Sequence, residues 1–446
     1  MDILISPATS LRGSAEVPAD KAICHRAVLL SSLADGDTVI TPWSTARDCE
    51  RTRDAMRQLG VPIDPSEDGI RVRATGRAGL RQPAGPIDCG ESGTTMRLLC
   101  GLLAGLPFKT QLDAAPSLGR RPMRRIVDPL SRMGARITGR PPTAGTTVSG
   151  DIYPPLSIEG RSVLTPTTYR MPVPSAQVKS AILLAALSAS GPSTVSEPSP
   201  TRDHTERLLE RLGIEIRADS GSITVTPPTH RLTAPGRLSV PGDFSSAAFF
   251  IVAGCIVPGS TIAIRHVGLN PTRMYLLDVL RRMGANIRVA PETDPWEPRG
   301  TIELTASALR ATDVRAEEMP LMIDELPVLM VAASVATGDT TLAGLAELRV
   351  KETDRIQSMV TGLQQLGVQI SERGSADVVI RGGRLRGGAV ESFGDHRTAM
   401  SLAVAGLVAE ESVRIAGAEC VAKSFGNFFR LLAELSGEST VRTASH

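Results

Sequence analysis

The run Arg349-Val350-Lys351-Glu352-Thr353-Asp354-Arg355 places three cations and two acids in one short stretch. A carboxyl group held among cations can donate a proton while the cations hold an anion, so the run has the composition of an acid–base centre for an anionic substrate. The apolar periodicity from Ile356 to Leu366, closed by Gly367, predicts a helix. Lys351 and Arg355 are spaced i, i+4 and share one face if that helix begins here. The charges would then sit at a helix N-terminus, where free N–H groups and the dipole favour an anion. Taken alone, the run fits a solvated first turn with surface ion pairs equally well.

The same residue types recur along the chain. Lys21 and Arg26, Glu91-Ser92-Gly93-Thr94, Ser175-Ala176-Gln177 with Lys179, Asp243, Asp324, and Asp395-His396-Arg397 stand before or at the start of apolar helical runs. Arg120-Arg121, Arg202, Arg273, and Lys351-Glu352 with Arg355 stand at the starts of amphipathic ones. Each position alone is explained by capping, and Ser175 and Asp324 would be good caps with no further role. Recurrence carries the argument. If those termini converge, they form a large anion pocket containing two or three carboxylates, suited to ligands with several phosphates or carboxylates.

The elements that must position these residues form an internal repeat. One pattern is an Ala/Leu-rich helical run, a small polar break and a β-branched strand, at 25–40, 94–112, 175–195, 244–264, 324–342 and 395–415. The other is an amphipathic helix ending in Leu-Gly or Met-Gly, then a short strand, at 48–63, 121–137, 202–216, 271–287 and 355–370, with a degraded copy at 425–437. The spacing of Gly60, Gly134, Gly213, Gly284 and Gly367 is roughly 70–85 residues, longer than common solenoid periods. Six α/β units imply two domains of three units each, with the first helix of each unit buried. The Pro/Gly-rich stretches 227–230 and 235–241 mark a link between the third and fourth units. A matching crossing near Leu11–Asp20 would give the N-terminal strand to the later domain. The expected domains are therefore residues 1–16 plus 238–446, and residues 17–237. The polar loop 291–300 joins two of the later elements, and the tail 437–446 is expected to be disordered.

Composition limits the function. A chain of 446 residues exceeds one ordinary core. A net charge of only +2, with no basic stripe interleaved with aromatics, argues against nucleic acid as the main partner. The first thirteen residues lack the charged and apolar regions of a secretory signal. The longest apolar run, Ala247–Val257, is too short to span a bilayer. Six scattered cysteines without a Cys-x-x-Cys pair read as reduced thiols in a cytoplasmic protein. The histidines are equally scattered, so no metal is expected. The phosphate-loop, dinucleotide-fold and nucleophile-elbow signatures are absent, which weakens kinase, dehydrogenase and hydrolase readings. What remains is cofactor-free transfer between two anionic small molecules by acid–base catalysis.

The motifs resemble those of the 5-enolpyruvylshikimate-3-phosphate (EPSP) synthase family. Pro18-Ala19-Asp20-Lys21-Ala22-Ile23-Cys24-His25-Arg26-Ala27, Gly90-Glu91-Ser92-Gly93-Thr94-Thr95-Met96-Arg97, Arg121-Pro122-Met123, Ser175-Ala176-Gln177, the 349–355 run, Asp395-His396-Arg397 and Lys423-Ser424-Phe425 follow in the family's order from about residue 4 to about residue 430. The resemblance implies a two-domain inside-out α/β barrel, each domain built of three βαβαββ units, with the active site in the cleft between the domains. It implies transfer of the enolpyruvyl group of phosphoenolpyruvate to the 5-hydroxyl of shikimate 3-phosphate, and inhibition by glyphosate. It implies no cofactor, a monomer, and no nucleic-acid or membrane partner. By resemblance, Lys21, Gly93 (through its backbone), Arg121, Gln177, Arg355, Arg397 and Lys423 hold phosphoenolpyruvate. Lys21, Ala22, Arg26, Ser175, Ala176, Gln177, Arg202, Asp324 and Lys351 hold shikimate 3-phosphate. Asp324 accepts the 5-hydroxyl proton, Glu352 protonates the methylene carbon, and Lys21 assists phosphate departure.

Two positions depart from the family pattern. Ala22 stands where a serine usually binds the sugar-side phosphate, and losing a hydrogen bond to a charged group costs about 1.5–3 kcal/mol. Ala22→Ser is therefore expected to lower the KM for shikimate 3-phosphate, and steady-state kinetics with an unchanged constant would remove the role from the missing hydroxyl. Glu91 replaces an asparagine beside the phosphoenolpyruvate phosphate. It is either rotated away and paired with a nearby arginine, or it marks weakened substrate binding or a changed acceptor in a specialised pathway. The related UDP-N-acetylglucosamine enolpyruvyl transferases use a Lys-Asn pair and a loop cysteine, whereas here Ala22 follows Lys21 and residues 112–120 contain no cysteine. A non-catalytic anion-binding homologue is the other alternative.

Overall fold

The computed structural model describes residues 1–143, 148, 150–294 and 296–444. Its α-helices are α1 Lys21–Ser31, α2 Arg47–Gln58, α3 Gly93–Ala104, α4 Arg124–Arg132, α5 Ala176–Ala186, α6 His204–Arg211, α7 Phe244–Ile256, α8 Tyr275–Arg282, α9 Leu326–Val335, α10 Arg355–Gln365, α11 His396–Gly406 and α12 Phe428–Ser436. They alternate in kind. The odd-numbered helices have no polar face: α7 is buried at every residue, and α9 from Leu326 through Ser334. The even-numbered ones bury a single stripe, in α2 only Cys49, Thr52, Ala55 and Met56.

The glycines of the repeat have a backbone task. Gly60, Gly134, Gly213, Gly284 and Gly367 follow the even-numbered helices with φ of +92°, +102°, +78°, +95° and +83°. After α2 the Gly60 amide donates to the Arg57 carbonyl and the Val61 amide to the Met56 carbonyl. This reversal satisfies the last helical carbonyls and requires a left-handed residue, which glycine adopts without a Cβ penalty. Gly437 closes α12 with φ +98°, so the degraded copy keeps the signal.

Among the described residues six sheets follow one plan. Ile87–Asp88 pairs parallel with Lys109–Asp113 across α3, Lys109–Asp113 pairs antiparallel with Tyr153–Glu159, and Tyr153–Glu159 with Arg136–Arg140. Thr168–Arg170, Ser193–Ser196, Ile216–Asp219 and Ser222–Val225 repeat this βαβαββ order, as do Asp313–Val314, Asp339–Leu342, Gln369–Arg373 and Asp377–Arg381. The other three sheets borrow strands from elsewhere in the chain. Leu232–Thr233 and Gly236–Ser239 lie parallel to Ala34–Thr41, and Arg12–Glu16 lies parallel to Thr261–Gly268. Ile3–Ile5 is inserted between Val413–Ala416 and Val441–Thr443.

That last pairing corrects the expectation of a disordered tail. Val441–Thr443 is a strand held by the N-terminal strand, and Thr440 is buried; residues 445 and 446 lie outside the described residues. The expected loop 291–300 is shorter than its composition implied, because Asn286–Glu292 and Arg299–Thr305 pair as strands into it; residue 295 is outside the described residues.

The chain divides into two units, Met1–Pro18 with Pro241–His446, and Ala19–Val240. In the first, α9 packs against both α7 and α11; in the second, α3 packs against both α5 and α1. Strands such as Gly69–Thr75 and Asp377–Arg381 bury every second residue, so one face of each packs inward and the other is more exposed.

Candidate functional site

In the unit Ala19–Val240, Asp20 caps α1 by accepting the Ile23 amide at 3.0 Å, which places Lys21 on the first turn. The Lys21 ammonium lies 3.0 Å from a carboxylate oxygen of Asp48, on the first turn of α2. Arg26 is buried. Its Nε donates to Thr205 Oγ1 at 2.7 Å, Nη2 to Ser180 Oγ at 2.8 Å, and Nη1 to the Ala22 carbonyl at 2.9 Å. It therefore braces α1 against α5 and α6, which accounts for its burial without any ligand.

Gly93 opens α3 behind the cap Ser92. A Cβ at Gly93 would stand 3.1 Å from Arg121 Nη1, so these two expected ligands face each other. Ser175 caps α5, accepting the Val178 amide at 3.4 Å, and Ala176 is the first residue of that helix. The Gln177 amide accepts from Arg97 Nη1 and donates to Thr94 Oγ1 at 2.9 Å. Arg97, the last residue of the 90–97 motif, thereby orients the Gln177 side chain. Arg202 immediately precedes Asp203, the residue before α6. Glu91 is exposed and accepts a hydrogen bond from Ser117 Oγ at 2.9 Å.

A buried ionic cluster lies beside these residues. Lys179 Nζ is 2.7 Å from Glu206 Oε1 and 3.1 Å from Glu197 Oε1. Burial pushes the Glu206 carboxyl above its ordinary range; Lys179 pulls it back only in part, and Asp203 adds to the rise. A carboxyl raised in the fold contributes stability that is present below its unfolded pKa and lost as pH rises through the folded one. Glu206→Gln is therefore expected to remove a loss of stability that the wild-type chain shows as pH rises from acid toward neutral. Thermal midpoints across that range check it, and parallel profiles for the two proteins would sink the assignment.

In the unit Met1–Pro18 with Pro241–His446, α10 begins at Arg355, where the repeat pattern places it. A 3-10 turn covers Leu345–Val350, and Asp354 is the cap. Lys351 and Glu352 thus precede the helix, and the i, i+4 argument for Lys351 and Arg355 fails. Asp354 wins the cap position because its carboxylate accepts both the Ile356 and Gln357 amides, at 3.1 and 3.0 Å. Asp324 differs from expectation: α9 begins at Leu326, with Glu325 at the cap position, so capping does not account for Asp324.

Instead, Asp324 and Glu352 meet at Arg355. Arg355 is 1% exposed, and its guanidinium contacts Asp395 Oδ2 at 2.8 Å, Glu352 Oε2 at 2.5 Å and Asp324 Oδ1 at 3.5 Å. Arg397 Nη1 donates to the Asp324 carbonyl at 2.8 Å, and Nη2 stands 3.9 Å from its carboxylate. Asp395 caps α11 at the Arg397 amide, 2.7 Å away. Burial alone would lower the Arg355 pKa, but Asp395, Glu352 and Asp324 together raise it above its ordinary value. Burial would raise Asp395, but Arg355 and His396 hold it below the usual carboxylate range. Burial pushes the Lys351 ammonium down, while Asp324 and Glu347 pull it back. Lys423 ends the 3-10 turn Ala418–Lys423; two residues on, Phe425 packs at 5.9 Å from Phe250 and 5.5 Å from Phe428. That aromatic contact anchors the turn.

Arg349, from the same motif, is structural: it bridges Asp354 at 2.7 Å and Glu372 at 2.5 Å. A second arginine–carboxylate cluster joins Arg273 to Asp243 at 3.2 Å and Ser245 at 2.8 Å, and Glu325 to Ser245. Among the described residues no group of three or more histidine, cysteine or acidic side chains is arranged to hold a metal ion. Chemically, Asp324 and Glu352 share a buried guanidinium beside Arg397. That grouping can bind an anion and move protons next to it.

Comparison with known proteins defines the class first. The chain superimposes with a TM-score of 0.78 on the enolpyruvyl transferase NikO from Streptomyces tendae, at 17% identity and covering 100% of this chain and 99% of that one. At that identity the likeness shows the fold, the inside-out α/β architecture of enolpyruvyl transferases. EPSP synthase from Acinetobacter baumannii superimposes with a TM-score of 0.86 at 37% identity over 100% of both chains. The model of the EPSP synthase (3-phosphoshikimate 1-carboxyvinyltransferase) family matches residues 5–432, and the chain belongs to that family. The 3-phosphoshikimate 1-carboxyvinyltransferase of Halorhodospira halophila is 48% identical over 97% of this chain and 95% of its own length. That of Methylococcus capsulatus is 47% identical over 96% of each. The fold class and the family read from the motifs are borne out.

Proposed function

We propose that this chain transfers the enolpyruvyl group of phosphoenolpyruvate to the 5-hydroxyl of shikimate 3-phosphate, releasing phosphate. The observation that carries the reading is the pair Asp324 and Glu352 on one buried arginine, Arg355, with Arg397 beside them. Asp324 takes the proton of the 5-hydroxyl as its oxygen attacks C2 of phosphoenolpyruvate. Glu352 donates a proton to the C3 methylene, so the addition gives a tetrahedral ketal carrying a methyl group. The C2–O bond to phosphate then breaks with its electron pair on phosphate, and Glu352 recovers a methyl proton to form the enol ether. Lys21, Arg121, Arg355, Arg397 and Lys423, with the Gly93 backbone, hold phosphoenolpyruvate. Arg26, Ser175, Gln177, Arg202 and Lys351 hold shikimate 3-phosphate. Cations preorganised around the ketal stabilise charge developing in the transition state, each such donor being worth about 3–4 kcal/mol.

On this reading the substrates are two small anions. The reading fits a monomeric cytoplasmic enzyme. The test is phosphate release from purified protein given phosphoenolpyruvate with shikimate 3-phosphate and, separately, with UDP-N-acetylglucosamine, without added metal. Release with shikimate 3-phosphate alone supports the proposal. Release with the nucleotide sugar alone, or with neither, overturns it.

A further inference from the structure

Helix α5 is built of apolar and small residues, AQVKSAILLAA, with one full charge inside it. The Lys179 side chain is 1% exposed, and it is met by two carboxylates that are themselves nearly buried, Glu197 at 5% and Glu206 at 9%. Isolated buried charges cost several kcal/mol each, on the order of what a small domain has in reserve, so a cluster with one cation and two acids needs a reason beyond stability.

Its connections supply one. Glu197 follows the strand Ser193–Ser196 and folds back onto its own loop. Its Oε1 accepts the Thr201 amide at 3.2 Å and its Oε2 the Thr201 hydroxyl at 2.6 Å. Lys179 Nζ also donates to the Thr201 carbonyl at 3.4 Å. Thr201 is thereby held through its amide, hydroxyl and carbonyl, and Arg202 is the next residue. On the far side of Arg202, Glu206 ties the first turn of α6 to the same lysine, and Thr205 is held to Ser180 at 2.7 Å and to Arg26 at 2.7 Å. Lys179 itself lies on the turn of α5 opened by Ser175, Ala176 and Gln177. One ammonium thus connects the helix start carrying Ser175 and Gln177 with both flanks of Arg202.

We infer that the Lys179–Glu197–Glu206 cluster, acting through Thr201, is a positioning device that sets Arg202 against the start of α5 for the phosphate of the sugar-side substrate. The inference rests on the reading that Arg202, Ser175 and Gln177 hold shikimate 3-phosphate. None of the cluster's side chains needs to touch substrate. Misplacing one anchoring cation weakens the binding of the anion it serves and leaves the second substrate's site intact.

The test compares Thr201→Val, Thr201→Ser and Glu197→Gln with Arg202→Ala and the wild-type enzyme. Thr201→Val removes one hydroxyl at nearly constant volume, so it keeps the test valid should Glu197→Gln fold poorly. The readouts are the KM for each substrate, kcat and the thermal midpoint. Arg202→Ala is expected to raise the KM for shikimate 3-phosphate. Thr201→Val and Glu197→Gln are expected to raise that same constant by about five- to twentyfold, with the KM for phosphoenolpyruvate and kcat within about twofold, as for a displaced binding group. Thr201→Ser keeps the hydroxyl and is expected to restore the wild-type constant. Equal rises in both KM values, a loss that follows the thermal midpoint, or no change in Thr201→Val would overturn the inference while leaving the proposed reaction standing. A wild-type protein inactive with shikimate 3-phosphate, or an Arg202→Ala variant with unchanged KM, would instead overturn the reading beneath it, and the inference with it.

Discussion

Glu352→Gln is expected to lower kcat with phosphoenolpyruvate and shikimate 3-phosphate by about 10²–10⁴, the usual contribution of a positioned proton donor. Glutamine has the volume of glutamate and keeps a carbonyl oxygen to face Arg355, which now stands 2.5 Å from Glu352 Oε2. It carries no transferable proton at the carboxyl position. Substrate binding depends on the surrounding cations and should change little, so the loss belongs in kcat and not in KM. Single-turnover phosphate release separates the two, because protonation of the methylene precedes the departure of phosphate. Calorimetric binding of shikimate 3-phosphate then reports whether the site is intact. A variant with near wild-type kcat and a raised KM would assign Glu352 to binding and pass the proton to another group. Asp324→Asn is the companion. It removes the base while leaving an oxygen for Arg355 and the backbone carbonyl that receives Arg397, so its loss should also fall on kcat.

Much of this was legible in the sequence for identifiable physical reasons. The Leu-Gly and Met-Gly endings could be read because a helix reversal needs a left-handed residue, and a glycine with φ near +90° leaves a mark that no packing context erases. The buried odd-numbered helices could be read because a helix without a polar face has nowhere else to go. The borrowed strands were harder. Ile3–Ile5 and Val441–Thr443 are three residues each, too short for a period, and their pairing joins the two ends of the chain. The tail was therefore expected to be disordered when it is a sheet edge. At the site, Asp324, Glu352, Arg355 and Arg397 were singled out by residue type and motif, and the fold brings these four together. The start of α10 at Arg355 was legible in the repeat pattern 355–370; what failed was the shared helix face of Lys351 and Arg355, because Asp354, a strong cap residue directly before the apolar periodicity, starts the helix after Lys351. The role of Arg97, the Asp48 partner of Lys21 and the cluster around Lys179 carried no local signal, since each joins residues from different helices or loops.

Arg355 is where loss of one side chain should cost most in both stability and activity. Arg355→Met is expected to destabilise the fold by about 3–5 kcal/mol at neutral pH, the range for removing one partner of a buried ion pair. Methionine fills much of the arginine stem's volume, so the loss reports charge more than a cavity. The group left behind is Asp395, whose side chain is 0% exposed and whose carboxylate is held low by Arg355 and His396 against the opposing effect of burial. The sign of the pH dependence follows. In the wild type, a carboxyl with a depressed folded pKa contributes stability that is present above its unfolded pKa and lost as pH falls through the folded one. Without Arg355, burial dominates and the same carboxyl moves up. The variant then prefers Asp395 protonated, and the stability gap between the two proteins should narrow as pH is lowered from neutral toward the ordinary carboxylate range. Urea unfolding at several pH values measures this gap, and a gap independent of pH would place the cost elsewhere. Asp395→Asn in the Arg355→Met background removes the stranded charge while keeping an oxygen at the cap of α11, so it should recover a large part of the lost stability. It should not recover turnover, because Asp324 and Glu352 would still lack the guanidinium that holds them together. A double variant both restabilised and active would show that Arg355 serves the fold alone.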